Sequence, residues 1–93
     1  MLFLWKISQD TNNGWDTFDM AIVVAKDSAS AIQMHPRGND RCWTDDGWVW
    51  RGDGDRCFGR EWAHPNNVDA ICIGQPADGL KEGDVVCSSF NAG

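Results

Sequence analysis

Apolar residues in the first third of the chain fall into two runs that are typical of β-strands. Residues 2–8, LFLWKIS, form the first run, and residues 18–26, FDMAIVVAK, form the second. In the second run every second residue from 18 to 24 is apolar and large, which predicts one shared face. The segment between the runs carries Asn13-Gly14, a strong turn signal. The pattern therefore predicts an antiparallel hairpin.

A short helix is predicted next. Asp27 and Ser28 are good residues for capping a helix start, and residues 28–35, SASAIQMH, contain helix-forming residues. The predicted helix ends before Pro36, because the residue before a proline is pushed out of helical geometry.

Two further strands are predicted at residues 66–74 and 84–90. The chain then reads as one α+β domain over residues 1–93, in the order β-β-α-insert-β-β. It has an antiparallel four-stranded sheet and one short helix, and residues 37–64 form an insert. One helix of about eight residues covers little of such a sheet. The sequence therefore predicts a homo-oligomer, in first place a dimer, that associates through the exposed sheet face or the fourth strand.

The insert differs from the rest of the chain in composition. Four of the five arginines and four of the six tryptophans lie between residues 41 and 64. Residues 48–51, WVWR, alternate so that Trp48 and Trp50 share a face, and the sequence GDGD at 52–55 is a turn signal. Arginine and phenylalanine alternate again over residues 56–60. The insert is therefore predicted to contain a Trp- and Gly-rich hairpin.

Indole rings beside guanidinium groups suggest a ligand-binding pocket. An indole stacks on a nucleobase, and arginines bind an attached phosphate. The residues predicted to line this pocket are Trp43, Trp48, Trp50, Trp62, Arg51, Arg56 and Arg60. A second subunit or the loop that carries Asn13 and Trp15 would close it. The alternative is that the tryptophans form a small core over the sheet and the helix, and the sequence leaves both interpretations open.

The charge of the chain limits its partners. A net charge of -6 over 93 residues argues against nonspecific nucleic-acid binding, which depends on clustered Lys and Arg. The first residues, MLFLWKISQD, have no basic start and no cleavage signal, and no apolar run approaches the roughly 20 residues of a membrane span. We therefore expect a soluble, cytoplasmic protein without membrane contact.

Cysteine and histidine spacing predicts neither a metal site nor a disulfide framework. Cys42, Cys57, Cys72 and Cys87 lie fifteen residues apart without a C-x-x-C motif, so reduced thiols are expected. His35 and His64 stand symmetrically about the first two cysteines, but structural zinc ligands usually come in closer pairs. Two histidines that each precede a proline at the ends of the insert are the simpler explanation. No catalytic motif or cofactor-binding motif occurs, so the sequence predicts a protein that is not an enzyme and has no cofactor.

Three segments carry a resemblance: residues 9–36, which begin QDTNNGWDTFDMAIVVAK; WAHPNNVDAICIG at 62–74; and the ending VVCSSFNAG. Together they are similar to a group of small bacteriophage and metagenomic proteins. In that group a GYDTYDSAVV-like strand, a helix ending in His-Pro and a terminal SFNAG surround a variable, Trp-containing middle. Trp15 and Phe18 stand where tyrosines are usual.

The resemblance implies a phage protein that acts in the cytoplasm of an infected bacterium. By analogy with small acidic phage proteins, three functions compete. The first is an oligomeric sponge that sequesters an ADP-ribose-type or cyclic nucleotide immune signal, and the clustering of Trp with Arg favours it. The second is an anti-CRISPR-like inhibitor that binds a host defence protein through an acidic surface. The third is a structural phage protein.

Overall fold

The structure, a computed structural model, describes residues 1–11, 17–38, 41–44, 47–50 and 62–91. The strands within these ranges are β1 (Phe3–Ser8), β2 (Thr17–Ala25), β3 (Arg41–Thr44), β4 (Gly47–Trp50), β5 (Asp69–Gly74) and β6 (Val85–Asn91). Across the same ranges the one α-helix is α1 (Ser28–Ala31), and a 3-10 turn at Pro65–Asn67 precedes β5.

The larger sheet has four antiparallel strands in the order β5-β1-β2-β6. The two central strands are consecutive in the chain and pair from Phe3 opposite Ala25 to Ser8 opposite Met20. The last two strands add to the outsides of this hairpin. The prediction of a small α+β fold with a four-stranded antiparallel sheet and a short helix is confirmed. The predicted Asn13-Gly14 turn lies outside the described residues.

A β-bulge in β2 decides which of its residues face the core. The register against β6 shifts between Phe18 and Met20, so Asp19 is an extra residue and the alternation of faces reverses there. The packed core cluster therefore receives one residue before the bulge and three after it, namely Phe18, Ala21, Val23 and Ala25, while Val24 is buried outside this cluster. The prediction that every second residue from 18 to 24 shares one face is wrong, because a period-two pattern cannot reveal an inserted residue.

Helix α1 is shorter than the predicted 28–35. Its start is the predicted one, because the Asp27 side chain accepts a hydrogen bond from the backbone N–H of Ser30 at 2.8 Å. After Ala31 the backbone tightens: Gln33 N–H donates to Ser30 C=O and Met34 N–H donates to Ala31 C=O. These bonds span three residues instead of four, so they end the helix one turn before the proline that the prediction relied on.

The insert contains a second, two-stranded sheet, formed by β3 and β4. Arg41 lies opposite Trp50 and Thr44 lies opposite Gly47. The Thr44 hydroxyl donates to the carbonyl of Gly47, whose φ of +104° suits glycine. The hairpin predicted from the sequence, in which 48–51 returns through 56–60, stays a prediction. The pairing with 41–44 was missed, and residues 51–61 lie outside the described part of the chain.

The core lies between one face of the large sheet and a layer built by α1, by the insert and by Val68 after the 3-10 turn. The sheet contributes Ile7 beside the core residues of β2, and the covering layer contributes Ala31, Trp48, Trp62, Ala63 and Val68. The insert therefore supplies most of the cover that the short helix cannot provide. The oligomer prediction assumed that the helix alone covers the sheet. Because the insert also covers it, this assumption no longer supports an oligomer.

Both edge strands of the large sheet remain exposed. The exposed fraction is 57% for Ile71 and 51% for Ile73 on β5, and 47% for Val86 on β6. Among the described residues, no helix is long and apolar enough to span a membrane.

Candidate functional site

The four tryptophans of the insert have two different environments. Trp48 and Trp62 are core residues, with exposed fractions of 6% and 1%. Trp43 is half-buried, and Trp50 is 38% exposed. In this conformation two of the four rings offer a ligand almost no surface, whereas the other two lie where a ligand can reach them. The core interpretation therefore holds for Trp48 and Trp62, and the pocket interpretation stays a prediction for Trp43 and Trp50.

Trp43 is held by rings that meet it edge to face. Its ring centroid lies 5.4 Å from that of Trp48 and 4.5 Å from that of His64, with interplanar angles of 69° and 68°. Trp48 is itself fixed, because its indole N–H donates to the Ala63 carbonyl at 3.0 Å and its ring contacts His35 at 5.1 Å. Such edge-to-face contacts are favourable. They orient the Trp43 ring before any ligand arrives.

The two histidines make the same local turn. His35 Nδ1 accepts the backbone N–H of Arg37 at 3.1 Å, and His64 Nδ1 accepts the backbone N–H of Asn66 at 3.0 Å. Each histidine precedes a proline, so Nδ1 accepts from the residue after that proline. The His-Pro dipeptides were the signal for these turns, and each places a ring against a tryptophan.

A surface cleft of about 350 Å³ lies beside Trp43. Its described lining comes from the end of β2, from α1 and the turn after it, from β3, and from the connection between β5 and β6. The lining residues are Ala25, Ser30, Gln33, Met34, Cys42, Trp43, Glu82 and Gly83. This volume is at the lower end of the roughly 300–1,000 Å³ of small-molecule sites. One indole, one thioether and several hydrogen-bonding groups therefore converge at one place.

The turn that brings Glu82 to the cleft is fixed by backbone hydrogen bonds. Asp84 N–H donates to the Lys81 carbonyl at 3.0 Å, and the Asp84 carboxylate accepts the Lys81 N–H at 2.8 Å. Gly83 N–H donates to the Val24 carbonyl at 2.9 Å, with a φ of +96° that suits glycine. These bonds hold the turn against the end of β2, while the Glu82 side chain stays exposed.

Asp27 adds a second negative charge near the helical wall of the cleft. The backbone N–H of Ser30, which donates to this carboxylate, holds the pKa of Asp27 below its ordinary value of 3.8. The Ser30 hydroxyl and the charge of Lys26 lower this pKa further, and desolvation opposes them. Asp27 is therefore ionised at neutral pH, and Ser30, which lines the cleft, is held in place by it.

Two arginines stack on aromatic rings outside the cleft. The Arg41 guanidinium lies 3.8 Å from the centroid of the Trp50 ring across the β3–β4 pair. Arg37 lies 5.4 Å from the rings of Phe18 and Phe90, whose centroids are 4.7 Å apart. Sequence analysis did not select Arg37 or Arg41. Arg41 could have been found from its position opposite Trp50, but this position is visible only once β3 is known to pair with β4.

The predicted pocket residues are only partly brought together. Trp43 and Trp48 form one ring cluster with His64, which was not predicted. Trp62 is buried in the core, and Trp50 pairs with Arg41 at the other end of the hairpin. The remaining predicted residues, Asn13, Trp15, Arg51, Arg56 and Arg60, lie outside the described residues. Ser30, Gln33 and Glu82 were missed, because their chain separation and their polar character give no sequence pattern. They meet only because the β5–β6 connection passes the end of β2.

The described cysteines, Cys42, Cys72 and Cys87, are free thiols. In the described ranges, no three His, Cys, Asp or Glu side chains come together as metal ligands. Comparison with protein-family models, curated protein sequences and solved structures finds no match to this chain. The resemblance to the phage group therefore stays a prediction.

Proposed function

We propose that this chain is a non-enzymatic binding protein that holds a nucleotide-type small molecule in the cleft beside Trp43. We further propose that it acts as an oligomeric sponge in phage counter-defence, and this part of the proposal rests on the sequence resemblance. The observation that carries the binding proposal is the fixed indole of Trp43 at a cleft with polar walls.

The chemistry of the cleft suits a planar, hydrogen-bonding ligand. A base stacked on an aromatic side chain contributes on the order of 1–3 kcal/mol. Gln33 has an amide that can both donate and accept, as the edge of a nucleobase requires. Because neighbouring rings already hold Trp43, less entropy is lost when a ligand stacks on it.

A binding experiment separates this site from the rest of the insert. Isothermal titration calorimetry with ADP-ribose and with cyclic nucleotides is carried out on the wild type and on Trp43→Leu, which keeps an apolar side chain but removes the aromatic face. We expect a loss of affinity of roughly tenfold or more in Trp43→Leu.

Trp50→Leu is the matched control, because Trp50 is an exposed indole that does not line the cleft. Its affinity should stay at the wild-type value. If Trp50→Leu loses binding and Trp43→Leu keeps it, the site lies at the Trp50 end of the hairpin and the cleft assignment is wrong. Thermal unfolding curves of both variants report whether they fold.

The oligomeric part of the proposal uses the edge strands. β6 carries no charged residue, and Asp69 is the one charged residue of β5. In a chain of net charge -6, these two exposed apolar edges are where a second copy meets the least electrostatic repulsion. An unpaired strand edge also offers backbone hydrogen bonds to another chain. We therefore propose that copies associate through strand edges, with β5 as the main contact.

Ile71→Lys tests the edge contact, because a lysine on an edge strand opposes strand addition. Sedimentation of the wild type at tens of micromolar should give a species heavier than 10.3 kDa, and Ile71→Lys should shift it to the monomer. The control is Ala77→Lys, which adds the same charge at an exposed position after β5. A wild-type protein that sediments as a clean monomer contradicts the oligomer.

The second candidate function is binding of a host defence protein. The exposed β5 edge with Ile71 and Ile73 favours it, because an edge strand can accept a strand from a partner. The acidic net charge suits a partner with a basic, nucleic-acid-binding surface. A wild-type protein that is monomeric, binds none of the nucleotides, and inhibits a defence nuclease in an assay that Ile71→Lys abolishes would support this function instead.

A further inference from the structure

The cleft carries charge of one sign. Among the described lining residues Glu82 is the charged one, and the other polar side chains, Ser30 and Gln33, are neutral. Asp27, whose lowered pKa keeps it ionised, receives hydrogen bonds from Ser30 at the helical wall. The charged group of the described lining is thus a carboxylate, which is unfavourable for an adjacent phosphate group and favourable for hydrogen-bond donors.

A carboxylate and a stacking ring that line the same cleft match one part of a nucleotide. The two oxygens of Glu82 can accept hydrogen bonds from two neighbouring hydroxyl groups. Acidic side chains bind the ribose hydroxyls of dinucleotides in this way. The turn that carries Glu82 is held to β2 by the Gly83 hydrogen bond to Val24, so the backbone of this residue is fixed at the cleft.

We propose that the cleft binds the nucleoside part of its ligand, with the base on Trp43 and the free 2′,3′-diol of the ribose on Glu82. The phosphate groups then point away from the cleft. The inference rests on the proposed function, because both use the Trp43 cleft. It selects one of the two ligand classes: an ADP-ribose-type nucleotide has a free diol, whereas the 3′-oxygen of a 3′,5′-cyclic nucleotide is esterified.

The diol is tested with adenosine and 2′,3′-dideoxyadenosine, which differ in those two hydroxyls. Saturation-transfer NMR gives the dissociation constant of each. The wild type should bind adenosine about tenfold more tightly, since hydrogen bonds to a charged group are stronger than neutral ones. In Glu82→Gln this ratio should fall close to one. The matched control is Asp78→Asn, another exposed carboxylate of the β5–β6 connection outside the cleft lining, which should keep the tenfold ratio.

The outcomes separate the two proposals. If ADP-ribose binds but adenosine and its dideoxy analogue bind equally, the diol assignment is wrong and the proposed function survives. If Glu82→Gln still binds adenosine tenfold more tightly than its dideoxy analogue, the assignment is also wrong, because another residue must then bind the diol. If neither adenosine nor ADP-ribose nor a cyclic nucleotide binds, the proposed function fails, and this inference fails with it.

Discussion

The two ends of the β3–β4 hairpin place the same residue type in opposite environments. At the turn end, Trp48 is buried, donates to the Ala63 carbonyl and contacts the rings of Trp43 and His35. At the open end, two residues further along the same strand, Trp50 is 38% exposed and stacks on Arg41. Alternation places both indoles on one face of the hairpin, so the strand itself does not distinguish them.

What distinguishes the two ends is the chain that lies against them. The turn end meets the two His-Pro corners, where His35 and His64 are fixed by hydrogen bonds to the backbone. The open end meets the guanidinium group of Arg41. Burial at the turn end anchors the hairpin on the sheet, and Trp43, which pairs with Trp48 at that end, is oriented beside the cleft.

The largest expected effect comes from truncating the buried end. Trp48→Ala should lower the free energy of unfolding by about 3–5 kcal/mol, because it leaves a cavity and removes the donor to the Ala63 carbonyl. Trp50→Ala should cost less than about 1 kcal/mol, since much of its ring is already in water. Urea unfolding of both variants measures the difference. Equal losses would mean that the two ends do not differ as described.

The cysteines sharpen the comparison through their reactivity. Cys72 and Cys87 are exposed on the edge strands, whereas Cys42 is half-buried in the cleft. In the folded, reduced protein we expect Cys42 to react with N-ethylmaleimide on the order of tenfold more slowly than the other two, which corresponds to about 1.4 kcal/mol. Peptide mass spectrometry over time assigns each rate. If Cys42 reacts as fast as Cys72, the Cys42 thiol is more accessible than its half-buried position in the cleft indicates.

A smaller effect is expected at the open end. A cation–π contact at an exposed site contributes about 0.5–1 kcal/mol, and the Arg41 guanidinium lies 3.8 Å from the Trp50 ring centroid. A double-mutant cycle of Arg41→Ala and Trp50→Ala in urea unfolding should give a coupling energy of this size. Coupling near zero would mean that the two side chains stack without stabilising the fold.

The sequence predicted the strands and the sheet well, because their apolar runs and turn signals are local. It placed Phe18 on the wrong face of β2 and missed the pairing of β4 with β3, while the predicted hairpin of 48–51 with 56–60 extends into residues outside the described part of the chain. The bulge at Asp19 and the pairing of β4 with β3 depend on partner strands, and neither has a local signature.

The candidate site was predictable only through Trp43. Indole clustering pointed to it, but Ser30 and Glu82 are ordinary polar residues more than fifty positions apart in the chain. They become a site because the chain must cross from the β5 edge to the β6 edge of the sheet, past the helix. Only the strand order, which the sequence pattern does not give, brings them together.

The smallest effect concerns Asp27, which caps the helical wall of the cleft. Its pKa in the folded protein is lowered below 3.8, chiefly by the Ser30 N–H. A carboxylate with a lowered folded-state pKa adds stability that is fully present above the unfolded pKa and lost as the pH falls through the folded pKa. Asp27→Asn keeps a capping oxygen but does not titrate. The wild type should therefore be slightly more stable than this variant at pH 7, and the difference should be lost at a pH well below 3.8, as the pH falls through the lowered pKa of Asp27. Thermal unfolding at both pH values measures it, and a difference that persists at the lower pH would show that the charge of Asp27 does not stabilise the Ser30 wall.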